Sequence, residues 1–88
     1  MTTKGEMKKV QCHNVKIEGK YFDAVADGSK TFEIRFDDRG YEEGDFIVLH
    51  KTLSNGFVNG ETIQKRIGFI TEYEQKQCYC VFSLLDLV

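Results

Sequence analysis

Proline is absent from the 88-residue sequence, so no imino ring breaks a strand ladder or a helix. No apolar stretch approaches the roughly 20 residues that a membrane-spanning helix needs, which argues against a bilayer protein. Basic residues are not in excess: 12 Lys and Arg stand against 14 Asp and Glu, for a formal charge of −2. Proteins that grip duplex backbone over many phosphates usually carry a basic surplus, so any nucleic-acid contact here is expected to be local, through a small basic pocket. Cysteines are few and odd in number, at Cys12, Cys78 and Cys80, and MTTKGEMKK leads into no apolar run. A secreted disulfide framework is therefore not expected, and a reducing cytoplasm fits best.

The sequence has the material for one modest core. Hydrophobic residues make up 41%, with seven Phe and four Tyr, and a chain of this length buries roughly 60–65% of its unfolded surface without staples or metal. Residues 1–8 read as a flexible tail and residues 9–88 as a single domain. Over residues 10–17 Val15 and Ile17 alternate with Lys16, as in a strand, and His13 shares their parity. KYFDAVAD, between Gly19 and Gly28, spaces Tyr21, Phe22, Ala24 and Val25 as a two-turn helix that Gly28 stops.

Residues 30–36 alternate, which predicts a strand with Phe32, Ile34 and Phe36 toward the core and Thr31, Glu33 and Arg35 away from it. Turns over 37–40 and 42–45 lead to FIVLH, a central strand apolar on both faces. Asn55-Gly56 and Asn59-Gly60 favour positive φ and mark a hairpin connection or projecting loop, with Phe57 as a possible contact tip. A return strand over 61–71 sets Ile63, Ile67 and Phe69 on one face, interrupted by Lys65, and CYCVFSLLDLV reads as a last, doubly buried strand. The sum is an α+β domain rich in β structure, with five or six strands and a tendency to close into a small barrel.

The stretch GSKTFEIRFDDR packs Lys30, Glu33, Arg35, Asp37, Asp38 and Arg39 into twelve positions. Charge runs are usually solvated faces. Against that bland account, Lys30 and Thr31 directly follow a helix stop, where helix end and strand start commonly wall a cleft. A carboxylate between two cations also suits a polar ligand edge.

These residues carry a resemblance. Gly28, Lys30, Glu33 and Arg35 match the G-x-K-x-x-E-x-R hallmark of the ASCH family of the PUA-like superfamily. HNVKIEGKYFDAVADGSKTFEIRFDDRGYEEGDFIVL looks like a small branch of it, through His13, Lys16, Tyr21, Phe22, Asp38-Arg39 and Gly44-Asp45. The likeness covers residues 12 to about 72. It implies a small PUA-like barrel of five to six strands with one or two short helices, and a cleft beside the first helix where related domains bind RNA or modified nucleotides. By the same resemblance Lys30 and Arg35 would meet phosphate or a ligand carbonyl, and Glu33 would accept from an exocyclic amine, a sound pairing for cytosine. Thr31, Arg39, Tyr21, Lys16 and His13 would complete the ligand site.

An enzymatic branch of ASCH-like proteins, which hydrolyses acetylated cytidine, looks like G-x-K-T-x-T-x-R. Glu33 stands here in place of its nucleophilic threonine. If the chain is a hydrolase of a modified nucleoside, Lys30, Thr31 and Glu33 are the residues to carry it. A third possibility is a protein-interaction module in which the charged strand is only surface. No cofactor is called for. Cys78 and Cys80 could join Cys12 and His13 as zinc ligands, but C-x-C on an apolar strand more often supplies two small buried hydrophobes. His50 reads as a rim residue. Among aromatics, Tyr21 and Tyr41 flank the motif and could stack on a base.

Overall fold

The structure is a computed structural model and describes residues 9–74 and 76–87; the expected tail over residues 1–8 lies outside them. Five strands and one helix follow in the order β1 (Cys12–Glu18), α1 (Gly19–Ala26), β2 (Phe32–Phe36), β3 (Phe46–Thr52), β4 (Val58–Glu72) and β5 (Tyr79–Leu85). The strands form one sheet in the order β1-β3-β4-β5-β2. Only the β1–β3 pair is parallel. The sheet curls into a half-barrel, which leaves β1 and β2 as its two free edges.

The concave side is filled by alternate residues. Val15 and Ile17 of β1, Ile47 and Leu49 of β3, Ile67 of β4, and Phe82 and Leu84 of β5 are buried there, and Phe22 and Val25 of α1 pack onto the same cluster. A helix of eight residues is too short to persist alone and holds by that packing. It ends at Gly28, whose φ of +87° is the left-handed conformation glycine adopts without penalty. The last carbonyls are then taken up locally: Gly28 N–H donates to Val25 O at 3.2 Å, and Lys30 N–H donates to Ala24 O at 3.0 Å.

Three sequence expectations are corrected here. Strand β2 is inverted: Phe32, Ile34 and Phe36 are 42–49% exposed, whereas Glu33 is buried. Strand β4 changes sides at a bulge between Ile67 and Ile70, so Ile70 packs on the core and Phe69 is 70% exposed. The bulge depends on Gly68, where an added Cβ would strike Ser83 Oγ. That hydroxyl accepts the Phe69 N–H at 2.9 Å. Strand β5 is fully buried on one face only, with Cys80, Phe82 and Leu84 inside and their neighbours partly covered. Phe57 does stand out at the β3–β4 tip, 71% exposed.

A polar cluster locks β1 to the turn before β3. His13 Nε2 meets Asp45 Oδ2 at 2.9 Å, and both side chains are buried. Asp45 also accepts the backbone N–H groups of Gln11 and Glu42, each at 3.1 Å. Burial raises the Asp45 pKa, but the hydrogen bonds from His13, Gln11 and Glu42 outweigh it and hold the carboxyl below its ordinary 3.8. Tyr41 lies over this pair, its ring 4.8 Å from His13 and 5.1 Å from Phe82. It is core and not a stacking platform, and burial pushes its phenol up despite Arg35 and Arg39 nearby.

Two outcomes test this packing. A folded pKa below the unfolded one gives stabilisation that is complete above about pH 4 and drains as pH falls through the folded value. Urea unfolding should therefore show an acid limb below that pH which Asp45→Asn flattens, at a cost of about 1–3 kcal/mol at neutral pH from the unpaired His13. Gly68→Ala should destabilise by about 1–2 kcal/mol through the Ser83 clash. That loss should shrink in Gly68→Ala/Ser83→Gly, and strict additivity in chemical denaturation would contradict the packing.

Candidate functional site: a charged cleft at the open seam

The helix stop and the edge strand together aim the charged side chains. With its backbone fixed to Ala24 O, Lys30 turns its ammonium along β2, where it donates to Phe32 O and, at 2.7 Å, to Glu33 Oε1. Arg35, two positions on and so on the same face, donates from Nη1 to Glu33 Oε2 at 2.9 Å. Its Nη2 reaches across the seam to Lys16 O on β1 at 3.2 Å. Arg39 makes a second crossing, from Nη1 to Asn14 O at 3.0 Å. Edge carbonyls with no strand neighbour are thus capped by cationic side chains. The half-barrel is closed at its seam by guanidinium groups and not by a ladder.

Between these edges and α1 lies a cleft of about 670 Å³, lined by Lys16, Glu18, Tyr21, Lys30, Glu33 and Arg35, with Phe32, Phe36 and Tyr79 as apolar wall. The Glu33 side chain is 6% exposed, against 16% for Lys30 and 25% for Arg35. Three cations and two carboxylates leave the cleft one charge positive in a chain whose total is −2. The Lys30 ammonium stands 4.5 Å from the Phe32 ring centre and 5.7 Å from that of Tyr21, within cation–π range. Charged groups and aromatic rings therefore share one wall.

Of the residues singled out from sequence, Lys16, Tyr21, Lys30, Glu33 and Arg35 come together here. Three do not. Thr31 lines a separate depression with Lys65, Leu84 and Asp86. Arg39 holds the seam and pairs with Asp38 at 3.3 Å. His13 is committed to Asp45 inside the barrel. Tyr79 is a cleft residue the sequence did not flag: it arrives through its register opposite Phe36, and no local pattern encodes that pairing. Cys78 sits in a turn with φ +66° and Cys80 in the core, so they do not share a strand face. Among the described residues no three His, Cys, Asp or Glu side chains gather as for a metal, and no helix is long and apolar enough to cross a membrane.

The fold and cleft define a small, curled, β-rich α+β domain with a charged groove at an open seam. By sequence the chain belongs to a family described as a domain of unknown function, DUF3850, whose profile matches residues 12–84. It is similar to an uncharacterized 12.9 kDa protein in the GpA 3' region of Escherichia phage P2, 42% identical over 60 residues. That match takes in 68% of this chain and 54% of the phage protein, so the chain spans about half the length of this relative.

Arg35→Ala should cost about 1–3 kcal/mol, since it leaves a buried carboxylate with one cation and uncaps Lys16 O. Glu33→Gln should cost less, because Lys30 and Arg35 retain access to water. Equal effects in denaturant titration would mean that the carboxylate is not what Arg35 supports.

Proposed function

We propose that this protein is a binding domain for RNA or a nucleotide, which takes a base and its phosphate in the cleft between α1, β1 and β2. The observation that carries the proposal is a buried carboxylate held on each oxygen by a cation, beside two half-exposed aromatic rings. A planar base offers apolar faces to Tyr21 and Phe32 and a polar edge to the charged cluster. Each oxygen of Glu33 retains a lone pair after one hydrogen bond, so it can still accept from an exocyclic amine. Lys16 and Arg35 are positioned for phosphate, the guanidinium as a planar fork. In this proposal the chain is an ASCH-like domain of the PUA-like superfamily, and its half-barrel with a groove beside the first helix supports that kinship.

Hydrolysis of a modified nucleoside has less in its favour. Thr31 lies away from the cleft, and both oxygens of Glu33 are engaged by cations. A protein-interaction role in which the strand is merely solvated surface sits poorly with a glutamate this deeply buried.

Isothermal titration with cytidine monophosphate checks the proposal. Saturable binding is expected, weakened about tenfold or more by Lys30→Ala, with Lys51→Ala, outside the cleft, as the control. Absence of heat at millimolar nucleotide, or equal binding by Lys30→Ala and parent, would overturn it.

A further inference from the structure

The inversion of β2 leaves Phe32 and Phe36 half-exposed; with Tyr79 they form the apolar wall of the cleft, and the same face of the sheet runs on past the cleft to Phe69. On the convex side of β2, β5 and β4 the registers form rows: Phe32 beside Ser83, Ile34 beside Val81 and Thr71, and Phe36 beside Tyr79. Phe69, brought outward by the bulge, donates its backbone N–H to Ser83 Oγ at the far end of the first row. Ser83 thus lies between Phe32 on β2 and Phe69 on β4. Phe36 and Tyr79 meet edge to face with centroids 5.6 Å apart.

Two features argue for an occupant that is both flat and anionic. Each end of the strip carries an ammonium against a ring: Lys30 is 4.5 Å from the Phe32 centroid and Lys76 is 4.7 Å from that of Tyr79. The strip is also continuous with the cleft, because Lys30, Phe32, Phe36 and Tyr79 belong to both, Lys30 facing the rings of Phe32 and Tyr21. The two ring-bearing rows are four residues apart along β2, about 13 Å, with Ile34, Val81 and Thr71 between them, a distance that two nucleotides of an unstacked chain can span, and each base has a π face for whichever ring it meets.

We infer, on the basis of the nucleotide-binding role assigned to the cleft, that the convex face of β2, β5 and β4 is a stacking surface for unpaired RNA. The preferred ligand is then a run of three or more nucleotides: one base enters the cleft between Tyr21 and Phe32, the next ones lie on Phe36 and Phe69, and Lys30 and Lys76 meet the intervening phosphates. The charge balance agrees, since stacking needs no basic face and tolerates a chain of negative total.

Competition against a fluorescein-labelled cytidine hexanucleotide, read by anisotropy, tests this. Unlabelled hexanucleotide should compete at least tenfold better than cytidine monophosphate. Phe69→Ala, at an exposed position outside the cleft lining that leaves the core intact, should weaken the hexanucleotide severalfold and leave the mononucleotide unchanged. Equal competition by mononucleotide and hexanucleotide would overturn the stacking surface while the cleft assignment stands; no binding of either would remove both. A concentration-dependent dimer abolished by Phe69→Asp, with no dependence on oligonucleotide length, would give the face to a second copy of the chain and overturn the inference.

Discussion

The Glu33 carboxylate is the constraint around which the open side of the molecule is organised. An ionised acid removed from water must find cations or cost several kcal/mol, and Glu33 has one on each oxygen. Both cations spend further donors on sheet edges, Lys30 on Phe32 O and Arg35 on Lys16 O. One buried acid thereby orients Arg35 toward the seam and Lys30 along β2. The cost is visible on the reverse of the same strand, where Phe32, Ile34 and Phe36 remain half-exposed; roughly 1 kcal/mol of burial is forgone at each. A strand that turns its charges inward and its aromatics outward violates the binary pattern that favours stability alone. Such violations concentrate where a site must be built.

The second buried acid does a different task. Asp45 gathers His13 and two backbone N–H groups and so pins the start of β1 against the turn before β3. Nothing in that cluster faces the cleft. The two polar centres, both within the stretch that the family profile matches, divide into one that holds the half-barrel and one that lines the cleft.

Much of the architecture was legible from local chemistry. The helix between Gly19 and Gly28, the central strand with Ile47 and Leu49, and the exposed tip at Phe57 follow from period, stop residue and turn type. The facing of β2 was not legible, because alternation specifies two faces without saying which is inward. That choice was made by partners distant in sequence, Lys16 O and the β5 neighbours. The facing of Phe69 was hidden for a related reason: a bulge opposite Ser83 shifts the parity, and its only local trace is Gly68. For the cleft, the motif spacing located Lys30, Glu33 and Arg35. Thr31 precedes the first residue of β2 and lines the depression beside Lys65 and Asp86, and His13, on β1, is held inward by Asp45; neither partner is encoded near the motif. Tyr79 entered through cross-strand register alone.

The parallel pairing of β1 with β3 bears on how the chain reaches this shape. Strands β3, β4 and β5 meet through short returns, whereas Cys12 must find Phe46 and Glu18 must find Thr52 with α1 and β2 held in the intervening loop. Closing a longer loop costs more chain entropy before any contact repays it. The meander is thus the part with the most local contacts, and both outer strands close longer loops, β2 onto β5 and β1 onto β3, the latter bringing the edge that carries the capped carbonyls. Until it arrives, Arg35 and Arg39 have no carbonyls to cap, so the groove exists only once folding is complete.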